Sequence, residues 1–529
     1  MYSSLLNLLR HRMSLTTLPL ELVLCVFKCL DWQDILNLRQ VHFPPERPLY
    51  LYNCEGLEAL ICIWQAAERG WTTDPDNNVS TSVSFDSSYP LAPQVRQNPN
   101  LLQRNILLDR GLKAFHLIEG GRWLLVVKFS GAVSYYDLHH PTGTAIEIGP
   151  PRQLIPDLTE RRPWTVVLTA VDIDHREPFL VFNFAVYTRI WLGFSSEQIQ
   201  IWRITLDLDH KNEAVGLKTT RLALISPLGL NNSPTSISLY GHQVAWDCGG
   251  GDAISVVVAD WTDPTMHAQP RTEAQIPLKA LSMRKVTHLG RARELPSFQL
   301  VQEKLLLAIK PWLILYDLAS APVFQHPGPA DLPAPNVVPD LIPLATPLIW
   351  RKKFSDLLTR SLSKPFVCPL TSTIRFTIFT RLVVYGLIIP MADCVSYSCD
   401  GASKQETRII RLGAYDMENE PCGFTSGYHT AVLHSFNPER LILRYRWPEE
   451  IEPCAFAISA KPGSGNSAGH GEIVKQRTEA INCKCFDPFT PAMDEGSGRV
   501  VLSAQSGKEL AVVDFAIFHK HTVNGKNKL

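Results

Sequence analysis

Gly465-Asn466-Ser467-Ala468-Gly469 has the spacing that exposes a hydrolase's nucleophilic serine at a strained turn between a strand and a helix. Its surroundings, KPGSGNSAGHGE over 461–472, are polar and glycine-rich, so neither flanking element is available and a flexible loop is expected. Asp172-x-Asp174-His175 and Asp207-x-Asp209-His210 set alternating carboxylates beside a histidine, the donor types of an oxygen-rich metal site. Both lack the glycine and distal glutamate of a calcium loop, and strand-end turns account for them. Cys394 with Cys399, and Cys483 with Cys485, could ligate zinc only if the fold brought them together, and no Cys/His pairs stand at finger spacing. Ser506-Gly507-Lys508 lacks the upstream glycine of a phosphate loop and runs into Glu509. The expectation is a protein that is not an enzyme, with no catalytic residue, no cofactor and no metal site.

The elements that would have to position any site are set by composition. The chain has 529 residues with Lys+Arg 51 and Asp+Glu 51, a formal net charge of +0, so no global field draws it to nucleic acid or to an anionic membrane. Hydrophobic residues at 45% and charged residues at 19% exclude wholesale disorder and coiled coil. Pro 39 and Gly 30 suit many short strands joined by turns. The 12 cysteines include no CxxC, and the apolar run 18–30 is interrupted by Glu21 and Lys28, so reduced thiols and no secretory signal are expected. Leu382–Ala392, with Gly386 and Pro390 inside it, is far short of the ~20 residues of a bilayer-spanning helix. An intracellular protein, cytoplasmic and/or nuclear, with unused sequons at Asn78 and Asn231, is the consequence.

Residues 14–41, SLTTLPLELVLCVFKCLDWQDILNLRQV, are patterned unlike the rest. Pro19 suits a first helical position and Glu21 a helix N-terminus, while Leu22, Val23, Val26, Phe27 and Leu30 recur on one apolar face. Asp31 and Asp34 restart the chain into a second helix with Ile35, Leu36, Leu38 and Val41 on one side. Helices this short need a partner surface. Leu18-Pro19-x-Glu21-Leu22, Val26-Phe27, Leu30, Asp34-Ile35-Leu36, Leu38-Arg39 and Val41 resemble the F-box pattern in type and spacing. The resemblance implies that Leu18, Pro19, Glu21, Leu22, Val26, Phe27, Leu30, Asp34, Leu38 and Val41 bind the Skp-family adaptor of cullin–RING ubiquitin ligases and, through it, a cullin. The chain departs from the pattern at HFPPERPLYLYNCEG, where Pro44, Pro45 and Pro48 oppose a third helix; Leu57–Arg69 is amphipathic and offers a substitute across a longer loop.

Residues 14–70 thus read as a small all-α module and 71–110, rich in Ser, Asn and Pro, as a linker. From 111 to 529 the pattern is mainly β, with hairpin-like units at 120–138, 176–207, 241–261, 298–318, 373–389, 435–447 and 498–515. Units recurring at this interval hold four strands plus surface loops, and radial closure into a β-propeller of six to seven blades buries their apolar faces. Tyr136-Asp137-Leu138, Tyr316-Asp317-Leu318 and Trp246-Asp247 loosely echo WD-repeat endings, and an F-box before a degenerate WD-like propeller resembles a large group of fungal F-box proteins. Insertions are placed at 319–350, containing the proline-rich 326–347, and at 461–472. The expected function is substrate recognition in an SCF-type ligase, with an unidentified protein as target; a propeller interaction scaffold whose F-box has decayed is the alternative.

Overall fold

The computed structural model describes residues 46–48, 51, 52, 63, 66, 67, 70 and 71, and between 102 and 515 thirty strands with most of the turns joining them. Residues 14–41 lie outside the described residues, as do 326–347 and 461–472.

The strands form seven antiparallel sheets, the blades, each entered at its inner strand and built outward in chain order, except that blade 7 takes its outer strand from the N-terminal side. Blade 1 comprises Leu112–Leu117, Trp123–Lys128, Val133–Asp137 and Arg152–Ile155. Blade 2 comprises Thr165–Ile173, Val181–Ile190, Glu197–Leu208 and Ala214–Ile225. Blade 3 comprises Ile237–Tyr240, Gln243–Cys248, Ala253–Asp260 and Ser282–Leu289, with Val323–Gln325, which follows the third strand of blade 4 in the chain, added outside the fourth strand. Blade 4 comprises Ser297–Val301, Lys304–Ile309, Trp312–Asp317 and Leu348–Lys353. In blade 5 the inner strand is split into Leu357–Leu362 and Phe366–Cys368, followed by Thr373–Thr380, Val383–Pro390 and Arg408–Ala414. Blade 6 comprises Pro421–Ser426, Thr430–Ser435, Arg440–Arg444 and Val474–Arg477. Blade 7 comprises Ala492–Asp494, Arg499–Ser503 and Glu509–Asp514, with Leu102–Leu107 from the N-terminal side as its outer strand.

Inner strands of successive blades approach one another around a central channel. Each sheet is sandwiched between two neighbours, so its middle strands are buried on both faces and read as continuous rather than alternating apolar runs. Trp123–Val127 and the whole of Thr373–Thr380 are buried. The core is correspondingly divided: seven apolar clusters each fill one gap between adjacent blades. Trp123, Tyr135, Phe182 and Phe184 fill the gap between blades 1 and 2, and Phe376, Leu306 and Leu315 the one between blades 4 and 5.

Ring closure depends on a pairing between residues more than 400 apart. Leu102–Leu107 runs antiparallel to Glu509–Asp514 in register from Leu102↔Asp514 to Leu107↔Glu509. Arg104 is buried on this strand and donates to Asp514 Oδ2 at 2.8 Å and to the Leu138 carbonyl at 3.0 Å; Arg499 donates to the other Asp514 oxygen and to the Gly121 carbonyl. A buried carboxylate between two guanidiniums, whose spare donors reach blade 1, couples the last blade to the first.

The Asp ending the third strand has a repeated job. Asp137, Asp260 and Asp317 each accept the backbone N–H two residues on, at 3.0, 2.9 and 3.1 Å. The residue after it, Leu138, Trp261, Leu318 or in blade 7 Phe515, donates its N–H to the turn between first and second strands, at Arg122, His242, Glu303 and Gly498. This explains Tyr-Asp-Leu at 136–138 and 316–318.

Some expectations are corrected here. Trp246-Asp247 lies on a second strand; Asp247 instead accepts the Thr235 and Ser236 N–H groups and the Thr235 hydroxyl, pinning the connection into blade 3. The expected linker 71–110 contains the ring-closing strand 102–107, and Trp71 belongs to a propeller core. Within the expected insertion 319–350, Val323–Gln325 pairs with the outer strand of blade 3 and Leu348 begins the outer strand of blade 4.

Candidate functional site

Antiparallel order sends the first-to-second and third-to-fourth connections to one face of the ring, face A, and the second-to-third and blade-to-blade connections to the other, face B. The described part of the N-terminal region lies on face A. The Glu46 carbonyl accepts the Leu180 N–H at 2.7 Å, and its carboxylate takes Arg122 Nη1 at 2.9 Å. Arg122 also grips Asp137 through two bonds, of 2.9 and 2.8 Å, and the Ala214 carbonyl at 2.8 Å. Arg47 donates to the Asn212 carbonyl at 2.8 Å and lies over the Tyr52 ring. One short segment therefore bridges blades 1 and 2. Burial raises the Glu46 pKa, with Arg122 opposing; burial alone would lower Arg122, but Asp137 and Glu46 raise it overall.

A second attachment lies two interblade gaps away, at blades 6 and 7. Ile63, Ala66, Ala67, Gly70 and Trp71 are helical, at the spacing of a single helix face, and Ala66, Ala67 and Trp71 are buried. Trp71 stacks on Phe515 with ring centroids 4.8 Å apart and donates Nε1–H to the Glu495 carbonyl at 2.9 Å. The Glu495 carboxylate takes the His429 N–H at 3.0 Å and the Thr430 hydroxyl at 2.7 Å, linking blade 7 to blade 6. Gly427 is required at this junction, since a Cβ there would sit 2.5 Å from Glu495 Oε2. Beside it, Arg375 is fully buried, with its guanidinium 4.8 Å from the Trp447 ring and donating to the Tyr428 hydroxyl.

Between these attachments the channel mouth holds titratable groups from several blades. His116 on blade 1 bonds the Thr169 hydroxyl of blade 2 at 2.8 Å. Burial, with the Lys364 charge adding to it, pushes the imidazole down to about 3, so it is neutral and a weak base at neutral pH. Burial lowers the pKa of Lys364 on blade 5, opposed by the charges of Glu119 and Asp494. Asp494 accepts the Gly120 N–H at 3.1 Å and the Ser497 N–H at 2.8 Å, and burial raises its pKa against those bonds. Asp172 accepts the Gly241 N–H at 2.7 Å, and burial pushes it up to about 6. These hydrogen bonds tie blades 7, 1, 2 and 3 in sequence.

Asp172-x-Asp174-His175 and Asp207-x-Asp209-His210 end as turns. Asp209 Oδ1 accepts the Lys211 and Glu213 N–H groups, both at 2.8 Å, and the Asp174 carbonyl and carboxylate accept the Glu177 and Arg176 N–H groups. Among the described residues no group of His, Cys, Asp and Glu could hold a metal ion. Cys394, Cys399, Cys483, Cys485 and Gly465–Gly469 lie outside the described residues, as do all the expected adaptor contacts from Leu18 to Val41. Sequence reasoning missed Glu46, Trp71 and Glu495. The tryptophan following a run of small and apolar residues, IWQAAERGW, was the available signal.

No family model matches the chain, and no curated protein matches it. Solved structures do. The β-propeller domain of Cps50 (Swd1) from Myceliophteria thermophila shares 10% identity with a TM-score of 0.42, covering 77% of this chain and 96% of that one. The WD40 domain of SCAP from fission yeast shares 9% identity with a TM-score of 0.38, covering 79% and 100%. The AfRom2 CNH domain shares 10% with a TM-score of 0.32, covering 78% and 100%. Sheet order, seven interblade cores and closure by the 102–107 strand make the described chain a seven-bladed β-propeller.

Proposed function

We propose that this protein is a non-catalytic substrate receptor of an SCF-type ubiquitin ligase, in which residues 18–41 recruit a Skp-family adaptor and the propeller holds the target. The observation that carries the reading is the F-box-like run from Leu18-Pro19-x-Glu21-Leu22 to Leu38-Arg39-x-Val41, placed directly before a segment anchored to the propeller at Glu46 and again at Trp71. Anchoring at both points supports a fixed placement of the N-terminal helices beside face A, leaving face B and the blade rims for a target. Held near a charged conjugating enzyme, the target gains effective concentration, and the bond-making chemistry belongs to other subunits.

A second reading is favoured by one observation. Glu46–Pro48 and Leu51 form a bend and a tight turn bonded to the propeller instead of continuing a helical module, as a scaffold with a decayed F-box would. Co-expression with a Skp-family adaptor separates the two. The receptor reading predicts a complex with a dissociation constant in roughly the nanomolar range, lost in Pro19→Ala/Leu22→Asp. A folded chain that does not bind the adaptor contradicts it and leaves the scaffold.

A further inference from the structure

The outer strand of blade 4, Leu348–Lys353, reads LIWRKK, and none of its six residues is buried. The other outer strands whose burial is described each bury at least one side chain between blades: Arg104 and Ile106 in blade 7, Leu154 and Ile155 in blade 1, Leu217, Ala223 and Ile225 in blade 2, and Leu412 in blade 5. Leu348–Lys353 pairs on one side only, with Trp312–Asp317, so its outer backbone groups form a free edge among the described residues.

Its side chains are specific in type. Leu348 and Ile349 are exposed by 48% and 45%, an apolar end that water does not favour. Arg351, Lys352 and Lys353 follow; Arg351 and Lys353, on the same face, flank the Trp312 ring at 5.5 and 5.9 Å from its centroid. Among the described residues none of the three meets a carboxylate. Lysine on an edge strand can serve only to blunt it against aggregation. Blunting does not account for two exposed large aliphatics on the same strand, nor for two cations gathered on one aromatic ring.

We infer that this edge docks an extended acidic peptide segment of a partner protein by strand addition. Backbone pairing supplies the register. Carboxylates facing Arg351 and Lys353, and an apolar side chain facing Ile349, supply selectivity. The site lies on the rim, away from the Glu46 and Trp71 anchors, so it binds whether or not the N-terminal helices recruit an adaptor.

The test uses the full chain and a short fluorescent peptide of alternating Glu and Val, followed by anisotropy. A dissociation constant in roughly the micromolar range is expected, weakened at least about tenfold for a Lys/Val peptide and for the Glu/Val peptide N-methylated at alternate amides. Arg351→Glu/Lys353→Glu should lose binding, and Arg351→Gln/Lys353→Gln, with an unchanged melting temperature, should weaken it. Equal binding of the N-methylated peptide would reduce the strand to a non-specific anion patch and overturn the proposal. Unchanged binding by either double variant, or no binding of the Glu/Val peptide to the folded chain, would also overturn it. Failure of adaptor binding leaves this result untouched, so the two readings fail separately.

Discussion

The outer strands of blades 7 and 4 are each six residues long, each paired on one side by the third strand of its blade, and they are used in opposite ways. Leu102–Leu107 turns Arg104 and Ile106 inward, and Arg104 sits 5% exposed against Asp514. Leu348–Lys353 turns only the half-buried Trp350 inward, against the core between blades 4 and 5, and carries its cations in water. The same position in the same repeated sheet thus serves once as a closure and once as an open rim. What decides is whether the strand's alternating side chains find an interblade core and a buried countercharge.

The comparison can be broken first at Arg104. Replacing it with alanine leaves Asp514 buried with one guanidinium in place of two, and breaking a buried pair costs about 3–5 kcal/mol. Chemical denaturation of Arg104→Ala should show a loss of that order, whereas Arg351→Ala on blade 4 should show almost none. Trp71→Ala comes next: it empties a site in the blade 6–7 core and removes a donor from the Glu495 carbonyl, for a loss of about 3 kcal/mol, readable as a lowered melting temperature.

A third prediction concerns pH. The folded pKa of Asp172, about 6, lies above the ordinary 3.8, so the folded state holds a proton that the unfolded chain releases between those values. Stability from this group is therefore lost as pH rises from about 4 to about 6, and above that the ionised carboxylate is held at a cost of at most about 3 kcal/mol. Asp172→Asn still accepts the Gly241 N–H and escapes that cost. Its melting temperature relative to the parent should be flat below the window, climb through it and level off above. The smallest effect belongs to the open rim, where Lys352→Gln should shift stability by less than about 0.5 kcal/mol.

The middle hairpins of six blades were legible in sequence, because strands buried on both faces become unbroken apolar runs between turns such as Ser130-Gly131, where Gly131 adopts φ +79°; in blade 6 the expected unit 435–447 catches the third strand but only the last residue of the second, Thr430–Ser435. Seven such units give seven blades. The inner and outer strands were harder. LQRNIL at 102–107 alternates, carries an arginine and pairs 410 residues away, so no local pattern marks it, and its neighbourhood reads as linker. Tyr-Asp-Leu was visible as a repeat, but its use depends on a turn that arrives from elsewhere in the blade. Trp246-Asp247 shows the opposite failure, similar letters doing a different job on another strand. At the candidate site the anchors were not legible: Glu46 is an ordinary glutamate until Arg122 and Leu180 are brought to it.

The account turns most directly on the two outer strands, and native-state hydrogen exchange measured on the full chain compares them in one experiment. The amides of 102–107 that bond to 509–514 should exchange only through global unfolding, since opening that strand opens the ring, while those of 348–353 that bond to 312–317 should exchange through local opening, orders of magnitude faster. Exchange of 102–107 at the rate of 348–353 would contradict the closure, and with it the distinction between a sealed seam and an open rim.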